Sequence, residues 1–172
     1  MADANYFCSS SSERSPLELA INSNNAIMVD HLIKHGAKIN KASSFYTDTH
    51  TTPLFLAVRK NNCSVIQCLI DHKALINEVI EGLSPLHAAV LNGDMSVIKC
   101  LCENGADINN KHDNNSSPFD MAEHYGQKEI VTYFKTISLR SDQENTAFWR
   151  SSLRLASNTF QSFSNFLWRI FR

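Results

Sequence analysis

The chain has 172 residues, 43% of them hydrophobic, and a formal net charge of −1, which allows one ordinary domain with a buried core plus a tail. A charge so nearly balanced gives no whole-molecule field for nucleic acid or an acidic membrane, so any such attraction is local. Residues 1–15 hold no apolar run of signal-peptide length, and no stretch reaches the roughly 18 uncharged apolar residues of a spanning helix; the expected compartment is cytosol or nucleus.

Residues 1–14 are expected to be a disordered N-terminus. The four prolines, Pro16, Pro53, Pro85 and Pro118, then recur at spacings of 37, 32 and 33 residues. Each sits in a matching phrase: Ser15-Pro16-Leu17, Thr52-Pro53-Leu54, Ser84-Pro85-Leu86 and Ser117-Pro118-Phe119. Twenty residues after the first three prolines come Gly36, Lys73 and Gly105. These open the phrases Ala37-Lys38-Ile39-Asn40, Ala74-Leu75-Ile76-Asn77 and Ala106-Asp107-Ile108-Asn109.

Between proline and glycine lie two short apolar-periodic stretches, in the third copy 86–92 and 95–104, split by Gly93-Asp94. A hydroxyl before proline is a natural N-cap, and proline suits the first helical turn. Gly93 permits a tight turn, and Gly105 sits where a helix end calls for a left-handed residue. Neither helix is long enough to be stable alone, so stacking must bury the apolar faces.

These phrases resemble the ankyrin repeat family, most closely over Gly82-Leu83-Ser84-Pro85-Leu86-His87-Ala88-Ala89 and Gly105 to Asn109. The resemblance implies an all-α solenoid of helix-turn-helix units with short hairpin fingers over 15–136, in repeats of about 15–47, 48–80, 81–113 and 114–136. Glu18, Phe55 and Asp120 stand where the third copy has His87, a residue that in the family bonds backbone between repeats; those copies are expected to be held less rigidly. The fourth copy lacks the Gly-Ala-Asp phrase, as suits a terminal cap.

The family's implied function is non-catalytic binding of a protein partner, as scaffold, adaptor or inhibitor, through finger tips and the concave face of the inner helices. Carried onto this chain, the fingers are 41–51, 78–83 and 111–116. The first is enlarged by the 37-residue spacing, and its aromatics Phe45 and Tyr46 are candidate hot spots. The expected partner-binding set is Phe45, Tyr46, His50, Arg59, Lys60, Leu83, Leu91, Asp94, His124 and Tyr125. Resemblance also implies a modification, asparaginyl hydroxylation, at Asn109, which follows Leu101, Asp107 and Ile108 in the preferred pattern; Asn40 and Asn77 match it less well.

Residues 137–146 read as a polar linker. The segment 147–172 has no acidic residue and carries Arg150, Arg154, Arg169 and Arg172. Trp149, Leu153, Ala156, Phe160, Phe163, Leu167 and Ile170 alternate in steps of four and three, the stripe of an amphipathic helix, widened near its end by Trp168. Such a helix can cap the last repeat, lie on a membrane surface or dock on a partner groove. A peripheral membrane adaptor is therefore one alternative function; a ubiquitin-ligase substrate adaptor is another, although no Leu-Pro element follows.

No phosphate-cradling glycine loop, dinucleotide fingerprint or HExxH motif occurs. His31 and His35 have helical metal spacing without a third ligand nearby in sequence. Cys63 and Cys68 read as having no histidine near them in sequence, and the five cysteines as small, reduced, apolar residues. No enzyme, cofactor, metal, small-molecule substrate or nucleic-acid partner is expected.

Overall fold

The structure, a computed structural model, describes residues 15–41, 51–111 and 116–140. The chain divides after Val131 into two compact units. The first holds α1 (Pro16–Asn22), α2 (Ala26–Lys34), α3 (Pro53–Arg59), α4 (Cys63–Asp71), α5 (Pro85–Asn92), α6 (Met95–Glu103) and α7 (Pro118–His124). A further helix occupies 128–140, and of the second unit residues 132–140 are described, all helical.

Each proline opens an odd-numbered helix, and the hydroxyl before it is the N-cap. Ser15, Thr52, Ser84 and Ser117 accept the backbone N–H of Glu18, Phe55, His87 and Asp120, each cap worth about 1 kcal/mol. Asn25, Asn62 and Asp94 cap the even-numbered helices in the same way. Each of α1 to α7 runs under three turns, so packing carries the stability.

That packing forms two rows. Within each repeat the helices pair, α1 on α2, α3 on α4 and α5 on α6. Between repeats, α1, α3, α5 and α7 form an inner row, and α2, α4 and α6 an outer one. The core repeats with the sequence: Leu17 and Ile21, Leu54 and Val58, Leu86 and Val90 inside; Val29, Val65 and Leu69, Val97 and Leu101 outside. Burying each such side chain stabilises by roughly 1.5–3 kcal/mol.

Left-handed backbone recurs at two fixed places. Eight residues after each proline φ is positive, at Asn24 (54°), Asn61 (53°), Gly93 (69°) and Gly126 (65°). Twenty residues after come Gly36 (91°), Lys73 (71°) and Gly105 (92°). Asparagine tolerates this region because its amide bonds locally, whereas lysine has no such relief. The missing glycine of the second copy therefore leaves a real strain at Lys73.

The departures from the His87 phrase have separate outcomes. His87 is buried, takes the Ser84 N–H on Nδ1 at 3.1 Å and places Nε2 3.2 Å from the Ser116 carbonyl. Asp120 keeps the local half of this arrangement, accepting from the Ser117 N–H at 2.9 Å and the Ser117 hydroxyl at 2.8 Å. Its reciprocal cap is as complete as that of His87. Phe55 has no polar group to offer and packs instead, at 9% exposure.

The last helix corrects one boundary. Residues 137–140, expected as the start of a linker, continue the helix. Thr136 and Ser138 hydroxyls turn back onto the carbonyls of Tyr133 and Phe134 at 2.6 and 3.1 Å, so polar side chains are accommodated there without ending it. The expected N-terminus 1–14, the remainder of the linker and the segment 147–172 lie outside the described residues.

Candidate functional site

The one tight finger among the described residues is a two-residue hairpin. Ile80 and Leu83 exchange N–H···O bonds, both 2.9 Å, across Glu81 and Gly82. Both central residues have positive φ, 49° and 75°, as the favoured hairpin turn requires. Gly82 bears this freely. Glu81 does not, so the tip stores strain of the kind found at functional sites.

Beneath this hairpin the inner row leaves a cleft of about 240 Å³. From α3 it is lined by Phe55 and Arg59, one turn apart; from α5 by Ala88, Leu91 and Asn92; from the hairpin by Ile80, Glu81 and Leu83; and from the approach to α3 by Thr51. Leu91 is 47% exposed, an apolar side chain left uncovered at the cleft edge. Arg59 and Glu81 are in no ion pair with one another or with any other described residue. The Thr51 hydroxyl oxygen is buried and has no hydrogen-bond partner among the described residues. The walls are held together by Asn92, whose amide donates to the Val58 carbonyl at 3.3 Å and to the Asn61 side chain at 3.0 Å.

Three expected binding residues, Arg59, Leu83 and Leu91, are thus brought together. Lys60 is exposed beside Arg59 as the C-cap of α3. Asp94 is committed elsewhere, accepting the Ser96 and Val97 N–H groups at 2.8 and 3.3 Å to start α6. His124 and Tyr125 pack edge to face at 5.3 Å and do not line the cleft. Phe45, Tyr46 and His50 lie outside the described residues, as do Trp149, Leu153, Phe160, Phe163, Leu167, Trp168 and Ile170. Sequence reading placed Ile80 and Glu81 in the finger 78–83 without singling them out, and it passed over Phe55 as a binding residue. The signal for Phe55 was available, since a phenylalanine side chain at the third helical position has no polar group with which to complete the cap.

The asparagines that close each repeat act between repeats. Asn40 accepts the Leu75 N–H at 3.0 Å and donates to the Lys73 carbonyl at 3.4 Å. Asn77 repeats this on Asp107 and Gly105, at 2.9 and 3.2 Å. The Asn109 side chain is exposed and has no hydrogen-bond partner among the described residues.

On the outer row, His35 Nδ1 is turned onto the His31 carbonyl at 2.7 Å. A group of three possible ligands among the described residues is Asp30, Cys68 and His72, whose ligand atoms all lie within 4.8 Å of one another. His72 does stand one turn from Cys68, a spacing that the sequence reading overlooked. Lys34 and His72, hydrogen-bonded to Asp30, hold its carboxyl below the usual range. All four described cysteines are free thiols, and burial raises each of them, Cys102 to about 12. None is an activated nucleophile on this ground. No described helix is long and apolar enough to cross a membrane.

The family model described as "Ankyrin repeats (3 copies)" matches residues 2–80 and, again, 54–144. No curated protein matches the chain.

Proposed function

This chain belongs to the ankyrin repeat family, and from that we propose that it binds a protein partner through the cleft between α3, α5 and the Ile80–Leu83 hairpin. Ankyrin repeats are generally protein–protein interaction modules and typically non-catalytic. The cleft's composition carries the reading: an apolar floor, an uncovered Leu91, and two unpaired charges of opposite sign, Arg59 and Glu81. An extended peptide segment suits it, with one apolar anchor between an acidic residue for Arg59 and a donor for Glu81 and Thr51.

A photo-crosslinking residue at Leu91, compared with one at the exposed Leu75 outside the cleft, tests this in cells. The expected result is one crosslinked protein specific to position 91, lost with Arg59→Glu. Equal capture from both positions, or capture indifferent to Arg59→Glu, removes the cleft from the function.

The pattern of 147–172, aromatic, basic and free of acids, supports a second reading in which the same module is a peripheral membrane adaptor. Full-length chain should float with anionic vesicles, and a chain ending at residue 146 should not. Full-length protein that stays with the soluble fraction ends that reading.

A further inference from the structure

The outer row joins consecutive repeats through one recurring set of three positions. These are the fifth residue of one outer helix, the sixth of the next, and that next helix's C-cap. At the α4–α6 joint they are Gln67, Cys100 and Asn104. The Gln67 carboxamide oxygen accepts from Asn104 at 3.1 Å and from the Cys100 thiol at 3.6 Å. This is a neutral hydrogen-bonded joint with no capacity for a cation beyond one thiol.

At the α2–α4 joint the same positions carry Asp30, Cys68 and His72. The thiol is kept, while both amides are replaced by metal-ligating groups. His72 Nε2 lies 2.8 Å from Asp30 Oδ1, and all three ligand atoms fall within 4.8 Å. We propose that Asp30, Cys68 and His72 form a zinc-class site that staples the first repeat to the second.

The donor set suits a borderline-soft tetrahedral ion: thiolate, imidazole and carboxylate, with the fourth position open to water. Bonds of about 2.0–2.3 Å to these ligands place them within the present spread, after side-chain movements on the order of 1 Å. All three residues are half-buried, which leaves an entry path from solvent. Both Asp30 oxygens are engaged, Oδ2 by Lys34 at 2.7 Å and Oδ1 by His72 at 2.8 Å, so one of these contacts gives way when the ion binds. Lys34 is exposed on a flexible stem and can withdraw.

The Cys68 thiol points to the Ala26 carbonyl at 3.8 Å. On loading, the S–H bond breaks, its proton passes to solvent, and the thiolate sulfur bonds the ion. His72 presents the Nε2 lone pair to the ion: any proton on Nε2 passes to solvent, and Nδ1 carries the N–H, taking a proton from solvent if it holds none.

The second joint supplies its own control. Asp30→Gln with His72→Asn rebuilds the α4–α6 chemistry at the α2–α4 joint and should fold normally. Cobalt(II) titration of the reduced full-length chain is the probe. The expected result is a thiolate-to-cobalt charge-transfer band that saturates at one equivalent and is displaced by zinc(II). Cys68→Ser abolishes it, and Cys63→Ser, which leaves the cluster whole, retains it. The double variant keeps its circular-dichroism spectrum and melting transition but binds more than about tenfold more weakly. Zinc should raise the melting temperature of the wild type and of Cys63→Ser, and not of Cys68→Ser. No band in the wild type, or undiminished cobalt affinity in the folded double variant, overturns the proposal.

Discussion

Asn77 reaches across a repeat step to Asp107: its side-chain oxygen accepts the Asp107 N–H at 2.9 Å, while its amide donates to the Gly105 carbonyl at 3.2 Å. One side chain thereby fixes the turn after α6. Asn77→Ala should lower stability by about 1–2 kcal/mol, as expected for two lost bonds in a half-solvated place. Asn40→Ala should cost a similar amount. Asn109→Ala, with no such bonds to lose among the described residues, should stay within about 0.5 kcal/mol of wild type. Urea unfolding of the three variants gives the comparison.

Lys73 is the test of backbone strain. Its φ of 71° occupies the place held by glycine in the first and third copies. Left-handed geometry costs a lysine roughly 1–2 kcal/mol, and glycine's greater unfolded-state freedom returns about half of that. Lys73→Gly should therefore stabilise by about 0.5 kcal/mol, visible as a raised urea midpoint at unchanged slope. A loss of stability would mean that the lysine stem makes compensating contacts.

Glu81 separates stability from binding. Asparagine is favoured at the first central position of this turn, so Glu81→Asn should stabilise by a few tenths of a kcal/mol. The same change removes the anionic side of the cleft and should weaken the Leu91 crosslink. Stability and capture moving in opposite directions is the expected signature of a residue retained for recognition.

Asp120 sets a pH dependence. The backbone and hydroxyl hydrogen bonds from Ser117 lower its carboxyl below 3.8 in the fold. The depressed folded value means that its contribution is fully present above about pH 4 and is lost as pH falls through the folded value. Asp30 titrates with the same sign for its own reasons. Asp120→Asn keeps an acceptor for the Ser117 N–H but removes the titration. Acid unfolding of this variant should show a shallower fall in stability below pH 4 than wild type, with little difference at neutral pH.

Asn109 is the expected hydroxylation position of the three. Its amide is exposed and unbonded among the described residues, whereas those of Asn40 and Asn77 are engaged. Peptide mass spectrometry after exposure to an asparaginyl hydroxylase should find oxygen on Asn109 before Asn77. The reverse order would show that the engaged amides are no barrier.

The two-row stack was legible because its signals are local. A hydroxyl before proline fixes a helix start, and an apolar residue every third or fourth position fixes its buried face. The cleft was legible only in part. Arg59 and Leu91 follow from the repeat register, and the finger at 78–83 from the family resemblance, but which of its side chains wall the cleft is set by the two-residue turn at Glu81 and Gly82. The Asp30–His72 contact was less legible still, because those residues are 42 apart in sequence and meet only when two repeats stack. His31 and His35, closer along the chain, take no part in that contact.

Asn109 holds the position from which Asn40 and Asn77 each grip the turn of the following repeat, and it makes no such bond among the described residues. Inserting a copy of residues 81–113 after residue 113 would set the turn that Asn77 grips in front of Asn109, and the longer protein should melt at a higher temperature than the natural one.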